Sequence, residues 1–306
     1  MMRLVPLLLL VLLVLLATLG CDTDRTSFGT LDKVWGRRGL ADGRFQKPRA
    51  IAIDANDQLY IVDTSARIQV FSPDGDFVRS WKTPAWENGR PTGLSIDRRG
   101  RVVVADTHYY QVLFYSPTGE LLGKFGGEPG PKPGQLGWVT DAIEDSTGHW
   151  FVSEYGEYDR VTKLTPDGQF VLEFGGHGSE PGQFLRPQKL AIDEQDRVWV
   201  ADACNHRLQV FDNSGKLLFQ WGTQGHAAGE LYYPYDLLLD GEHVYVLEYG
   251  NHRVQKFTRS GESLGVWGHE GRGPGELYNP WGVVLDRQRR LHVLDSNNHR
   301  VQRIQL

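Results

Sequence analysis

Cysteine is scarce in this chain: 306 residues contain two, Cys21 and Cys204. Two thiols cannot build a disulfide framework, so stability must come from a packed core, for which the length is ample. A surplus of positive charge is missing as well. The 38 acids and 33 bases leave a formal net charge of −5, and the bases are interspersed with acids, which argues against a nucleic-acid partner. Glycine is plentiful, yet no glycine-rich stretch runs into Gly-Lys-Ser or Gly-Lys-Thr and then a helix, so a phosphate loop is excluded.

What the chain has instead is repetition. A unit of about 46 residues recurs six times: apolar run, acid, turn, apolar run, second acid, polar loop, apolar run, glycine turn, apolar run, glycine. The first acids are Asp54, Asp97, Asp145, Asp193, Asp240 and Asp286; the second are Asp63, Asp106, Glu154, Asp202, Glu248 and Asp295. Between them lie short β-branched and aromatic runs such as Leu59-Tyr60-Ile61-Val62 and Val198-Trp199-Val200-Ala201, which suit strands and are too short for helices. Turns such as Pro73-Asp74-Gly75 and Asn213-Ser214-Gly215 then lead into a fourth strand ending in an aromatic and a glycine, as at Phe174-Gly175 and Trp221-Gly222.

The sixth copy stops at Leu306 after its third strand, whereas Leu31 to Gly36 matches a fourth-strand ending. The N-terminal strand is therefore expected to complete the last blade and close the ring, which removes an exposed sheet edge. The fold class predicted is all-β: a six-bladed β-propeller of four-stranded antiparallel blades, forming one domain over residues 28–306.

Three copies spell the polar loop as Asn205-His206-Arg207, Asn251-His252-Arg253 and Asn298-His299-Arg300, and the run from Asp202 to Phe211 resembles the NHL repeat. The resemblance covers nearly all of residues 28–306 and implies a six-bladed propeller. Copies one to three depart from it, with Ala66-Arg67, Tyr110-Gln111 and a longer loop from Glu154 to Arg160. Repetition itself points to a bracing role for these loops, in which acid, Asn and Arg satisfy backbone groups.

At the N-terminus, Leu4 to Leu19 is an almost wholly apolar run, short for a spanning helix, and it ends at Gly20-Cys21. A small residue before a cysteine resembles a bacterial lipoprotein signal, although Thr18 and Leu19 depart from the usual pattern. On that resemblance residues 1–20 are a signal peptide, Cys21 is lipidated, and 21–27 form a tether of roughly 25 Å if extended. The protein would be extracytoplasmic and lipid-anchored to a cell membrane. Cys204 would then have no partner, and an uncleaved anchor is the competing expectation.

Strand order puts the linkers and the loops after the second acids at one end of the ring, the top. Seven of the ten histidines fall there: His108, His177, His206, His226, His252, His269 and His299. The channel mouth should be lined by the residues opening each inner strand, Arg49, Thr92, Thr140, Gln188, Tyr235 and Trp281, with Asp141, Lys189 and Asp236 beside them. These positions vary from copy to copy inside a repeated frame, which is where a protein or small-molecule ligand could be read.

Peptide-amidating lyases share a related six-bladed scaffold, with zinc-binding histidines at the start of inner strands. None of the six equivalent positions here is His, which removes the main warrant for that activity. No cofactor is expected, though a divalent metal on Asp141, Asp236 and nearby carbonyls is left open. The sequence-level expectation is a binding scaffold acting through its top face, with a metal-dependent lyase or hydrolase at the channel mouth as the alternative.

Overall fold

The computed structural model describes residues 27–306; the leader, Cys21 and most of the tether lie outside the described residues. Six sheets of four antiparallel strands surround a central channel. The inner strands are Pro48–Ile53, Gly93–Ile96, Trp138–Glu144, Pro187–Ile192, Pro234–Asp240 and Gly282–Leu285, defining blades 1 to 6. Second and third strands are buried almost throughout, as in Val198–Asp202 and Arg207–Phe211, which explains their dense β-branched and aromatic content. The outer strands alternate between covered and exposed residues.

Closure runs as the sequence predicts. Thr30–Trp35 is the outer strand of blade 6 and pairs antiparallel with Arg300–Gln305, Thr30 opposite Gln305 and Trp35 opposite Val301. Both described chain ends therefore meet at the bottom of one blade, where Phe28 packs on Tyr245 with ring centroids 5.5 Å apart.

Successive blades are held by a repeated aromatic seat. At five of the six junctions the aromatic near the end of an outer strand lies against the turn glycine of the next blade: Trp35 on Gly75, Trp81 on Gly119, Phe125 on Gly168, Phe174 on Gly215 and Trp221 on Gly261. A Cβ on any of these glycines would stand only 2.5–2.7 Å from the ring. The glycine is thus required twice, for its positive φ (+82° at Gly75, for instance) and for the close approach. Aromatic pairs continue the contact inward, such as Trp35–Phe71 at 4.9 Å and Phe174–Phe211 at 4.7 Å.

Candidate functional site

The second acids are buried hubs that tie each top loop to the linker before it. In blade 4, Asp202 Oδ2 accepts from Arg207 Nε (2.8 Å), Asn205 Nδ2 (2.8 Å) and Gln209 Nε2 (3.1 Å), while Oδ1 accepts from the Leu185 amide (2.8 Å). Arg207 also donates to the carbonyls of Glu180 and Gln183 at 2.9 and 2.8 Å. Blades 5 and 6 repeat the arrangement around Glu248 and Asp295. The first acids serve the opposite face, where Asp193 accepts the amides of Gln195 and Arg197 in a tight turn.

The histidines of the Asn-His-Arg loops reach forward to the following blade. His206, His252 and His299 all adopt positive φ, and their Nδ1 atoms accept the amides of Tyr233 (3.1 Å), Asn279 (2.9 Å) and Lys47 (2.9 Å). The last of these bridges the ring closure. Accepting through Nδ1 requires a neutral ring, and burial holds all three histidines below the ordinary imidazole value. Each amide so held belongs to a residue that precedes proline and itself has positive φ: Lys47 (48°), Tyr233 (50°) and Asn279 (46°). Arg186 (61°) is the fourth, its amide held at 2.9 Å by Asp159. Positive φ is uncommon in bulky residues, and here an external acceptor fixes it just where the chain turns into the channel.

All nine residues predicted for the channel mouth converge. Arg49, Thr92, Thr140, Asp141, Gln188, Lys189, Tyr235, Asp236 and Trp281 line a single constriction with about 20 Å³ of free space, roughly one water's worth. Its floor is a charged cluster. Lys189 Nζ pairs with Asp141 at 3.2 Å and donates across the channel to the Leu94 carbonyl at 3.3 Å. Asp141 and Asp236 also accept amides of the next blade, Leu190 at 3.1 Å and Val283 at 2.9 Å, so the acids clip neighbouring inner strands together. Burial pushes Asp236 up to about 7 against the pull of Lys189, and burial likewise raises Asp141. Burial works against the Lys189 ammonium, but the two carboxylates outweigh it and hold its value high. Lys189 keeps 21% exposure because it borders the channel space. Below the cluster the channel opens to about 250 Å³ between aliphatic walls that include Ile53, Ile96, Ile143, Ile192 and Leu239.

Above the constriction lies a rim of arginines and aromatic rings. Tyr235 stacks on Tyr249 at 4.5 Å, and Trp281 meets the two edge-on at 5.3 and 5.7 Å. The Arg49 guanidinium lies 5.6 Å from the Trp281 ring, and Arg186 covers Tyr155 at 4.8 Å and Tyr235 at 5.7 Å. Burial depresses Arg49, and the neighbouring Arg90 and Arg186 depress it further. Arg90, Tyr155, Arg186 and Tyr249 were not among the sequence-predicted residues. Arg186 carried a signal, since it occupies the same pre-proline position as Lys47, Tyr233 and Asn279.

The predicted histidines do not converge. His177 pairs with Asp159, His226 with Asn251, and His269 lies 3.8 Å from Glu276, each over a different part of the rim. Among the described residues no group of three His, Cys, Asp or Glu is disposed to hold a metal ion. Cys204 is free and half-buried, and burial raises its thiol, which lowers its nucleophilic fraction. No helix of the described residues is long and apolar enough to cross a membrane.

Comparison with known proteins follows the geometry. A family profile described as NHL repeat matches residues 184–211 and 277–304. The chain is a six-bladed propeller that carries NHL repeats. NHL repeat-containing protein 3 of Mus musculus is 31% identical over 189 residues, covering 56% of this chain and 54% of that protein. The peptidylglycine alpha-amidating monooxygenase of Rattus norvegicus is 36% identical over 137 residues, covering 41% of this chain and 14% of the relative. Among solved structures, virginiamycin B lyase from Staphylococcus aureus superposes with a TM-score of 0.61 at 12% identity, covering 90% of this chain and 99% of that one. The chain spans about half the length of the first curated relatives it matches.

The two matched stretches run from a linker into blade 4 and from a linker into blade 6, both with the complete Asn-His-Arg brace. Blades 1 to 3, where the loop departs from the pattern, lie outside them, as does blade 5, which keeps the full brace. In blade 2, Gln111 stands where the arginine would be, so Asp106 retains one partner, Gln111 Nε2 at 3.0 Å, and its Oδ1 has none.

Proposed function

We propose that this NHL propeller is a binding scaffold that captures a protein or small-molecule ligand on its top face, held outside the cytoplasm by a lipid on Cys21. The observation that carries the reading is the convergence of all six blades on one rim, where side chains differ from blade to blade while the frame beneath repeats. Orientation supports it too. The outer strand Thr30–Trp35 begins at the bottom, beside Gln305, so a tether leaving Ser27 would point the bottom face at the membrane and leave the mouth free.

The alternative of a metal-dependent lyase draws on the amidating and lyase relatives. It would place a divalent ion on Asp141 and Asp236. In this chain an internal ammonium, Lys189, already answers those two carboxylates, which favours the scaffold. The test is affinity capture with the full-length protein. A partner or ligand retained by the wild type should be lost on Tyr235→Ala with Trp281→Ala while the melting curve stays cooperative. Stoichiometric zinc or calcium that disappears in an Asp141→Ala, Asp236→Ala variant would overturn the scaffold reading in favour of the lyase.

A further inference from the structure

Two buried donors at the rim lack acceptors. Arg49 Nε and Trp281 Nε1 are buried at the mouth with no hydrogen-bond partner. Arg49, Arg90 and Arg186 form no ion pair among the described residues. Arg90 spends Nε on the Thr64 carbonyl (2.7 Å) and Nη1 on the Gly89 carbonyl (2.9 Å), and Arg186 Nε reaches Gln188 Oε1 at 3.3 Å. The acids nearby are committed elsewhere. Asp141 and Asp236 serve Lys189 and main-chain amides, Asp159 holds His177 and the Arg186 amide, and Glu87 accepts from the Trp86 amide and the Tyr109 hydroxyl. Three guanidinium groups thus gather near one opening with no carboxylate in direct contact, and the buried unmatched donor of Arg49 is costly enough to call for an explanation.

We infer that the mouth is a receptor for a carboxylate carried on a flat aromatic or otherwise apolar group, with Arg49 and Arg186 taking the charge and Tyr235, Tyr249 and Trp281 the apolar part. This rests on the top-face reading and names its ligand class. A carboxylate accepts hydrogen bonds only, which matches the unpartnered donors of Arg49 and Trp281, and its two coplanar oxygens suit the guanidinium fork. The ring cluster supplies a wall against which a planar group can lie. A free acid and an acidic end on a larger molecule would present the same head.

The experiment uses the full-length protein and three probes, phenylacetate, the neutral phenylacetamide and inorganic phosphate, followed by tryptophan fluorescence and ligand-observed NMR. Phenylacetate should bind at least tenfold more tightly than the amide or phosphate. Arg49→Gln and Arg186→Gln should each weaken it about tenfold or more, the amount expected for a lost charge-assisted bond. Arg186→Gln, at the half-exposed rim, serves as the control if Arg49→Gln disturbs folding. Equal binding of acid and amide, unaffected by both arginine variants but lost in Trp281→Ala, would overturn the carboxylate assignment and leave the top-face reading standing. Phosphate binding as well as phenylacetate would also overturn the assignment. Failure of all three probes to bind would overturn it together with the small-molecule form of the top-face reading.

Discussion

Asp106 shows what one missing partner does. Its counterparts Asp202, Glu248 and Asp295 each meet an arginine, whereas Gln111 leaves Asp106 with a single amide donor, and burial pushes its carboxyl up to about 6. The folded state therefore binds the proton more tightly than the unfolded chain, whose aspartates titrate near 3.9. Stability associated with this group is present below about pH 4 and is lost as pH rises through 6, on the order of 2–3 kcal/mol in all. Asp106→Asn removes that dependence. The variant should be more stable than wild type by about 1–3 kcal/mol at pH 8, with the gain vanishing near pH 4, as read from denaturant melts at both pH values. No gain at pH 8 would mean that the ionised carboxylate has a compensating partner. The bracing histidines run the other way. Their values are lowered by burial, so the support they give is full above about 6.5, the unfolded value, and is lost as pH falls below it through the depressed folded values.

At the level of strands, the N-terminal segment contributes more than its six residues suggest. Thr30–Trp35 covers the edge of the last blade and delivers Trp35 to the Gly75 seat and the Phe45–Phe71 cluster of blade 1. Trp35→Ala should cost about 3–5 kcal/mol, and deleting residues 28–36 should remove most of the cooperative transition in a thermal melt. An unchanged melting temperature after the deletion would contradict the closure. This closure was legible in the sequence because a missing strand at one end and a spare strand at the other leave a single economical pairing. The nine mouth residues were legible for a related reason: position within an inner strand decides what faces the axis. Arg90, Tyr155 and Tyr249 were not, since each sits in or beside a loop whose path depends on contacts with another blade, and no local period reports such contacts. The forward reach of His206, His252 and His299 was hidden in the same way, because their acceptors serve residues about 27 positions on, or 252 positions back across the seam.

Taken as a whole, the molecule has a bottom that gathers the ends of the described residues and a top that gathers the variable side chains. Under the proposed tether, Cys21→Ser should move the protein from the membrane fraction to the soluble fraction without altering its melting behaviour, as checked by fractionation and circular dichroism. A serine variant that stays with the membrane would indicate an uncleaved apolar anchor instead. The division between frame and rim also bears on which side chains the mouth can carry. At positions 47, 186, 233 and 279 the unusual backbone angle is imposed by a histidine or aspartate of the preceding blade, not by the residue's own side chain. Lysine, arginine, tyrosine and asparagine already occupy these four equivalent sites. The side chain at this position is thus free to differ between blades, because the neighbouring blade supplies the hydrogen bond that holds the backbone.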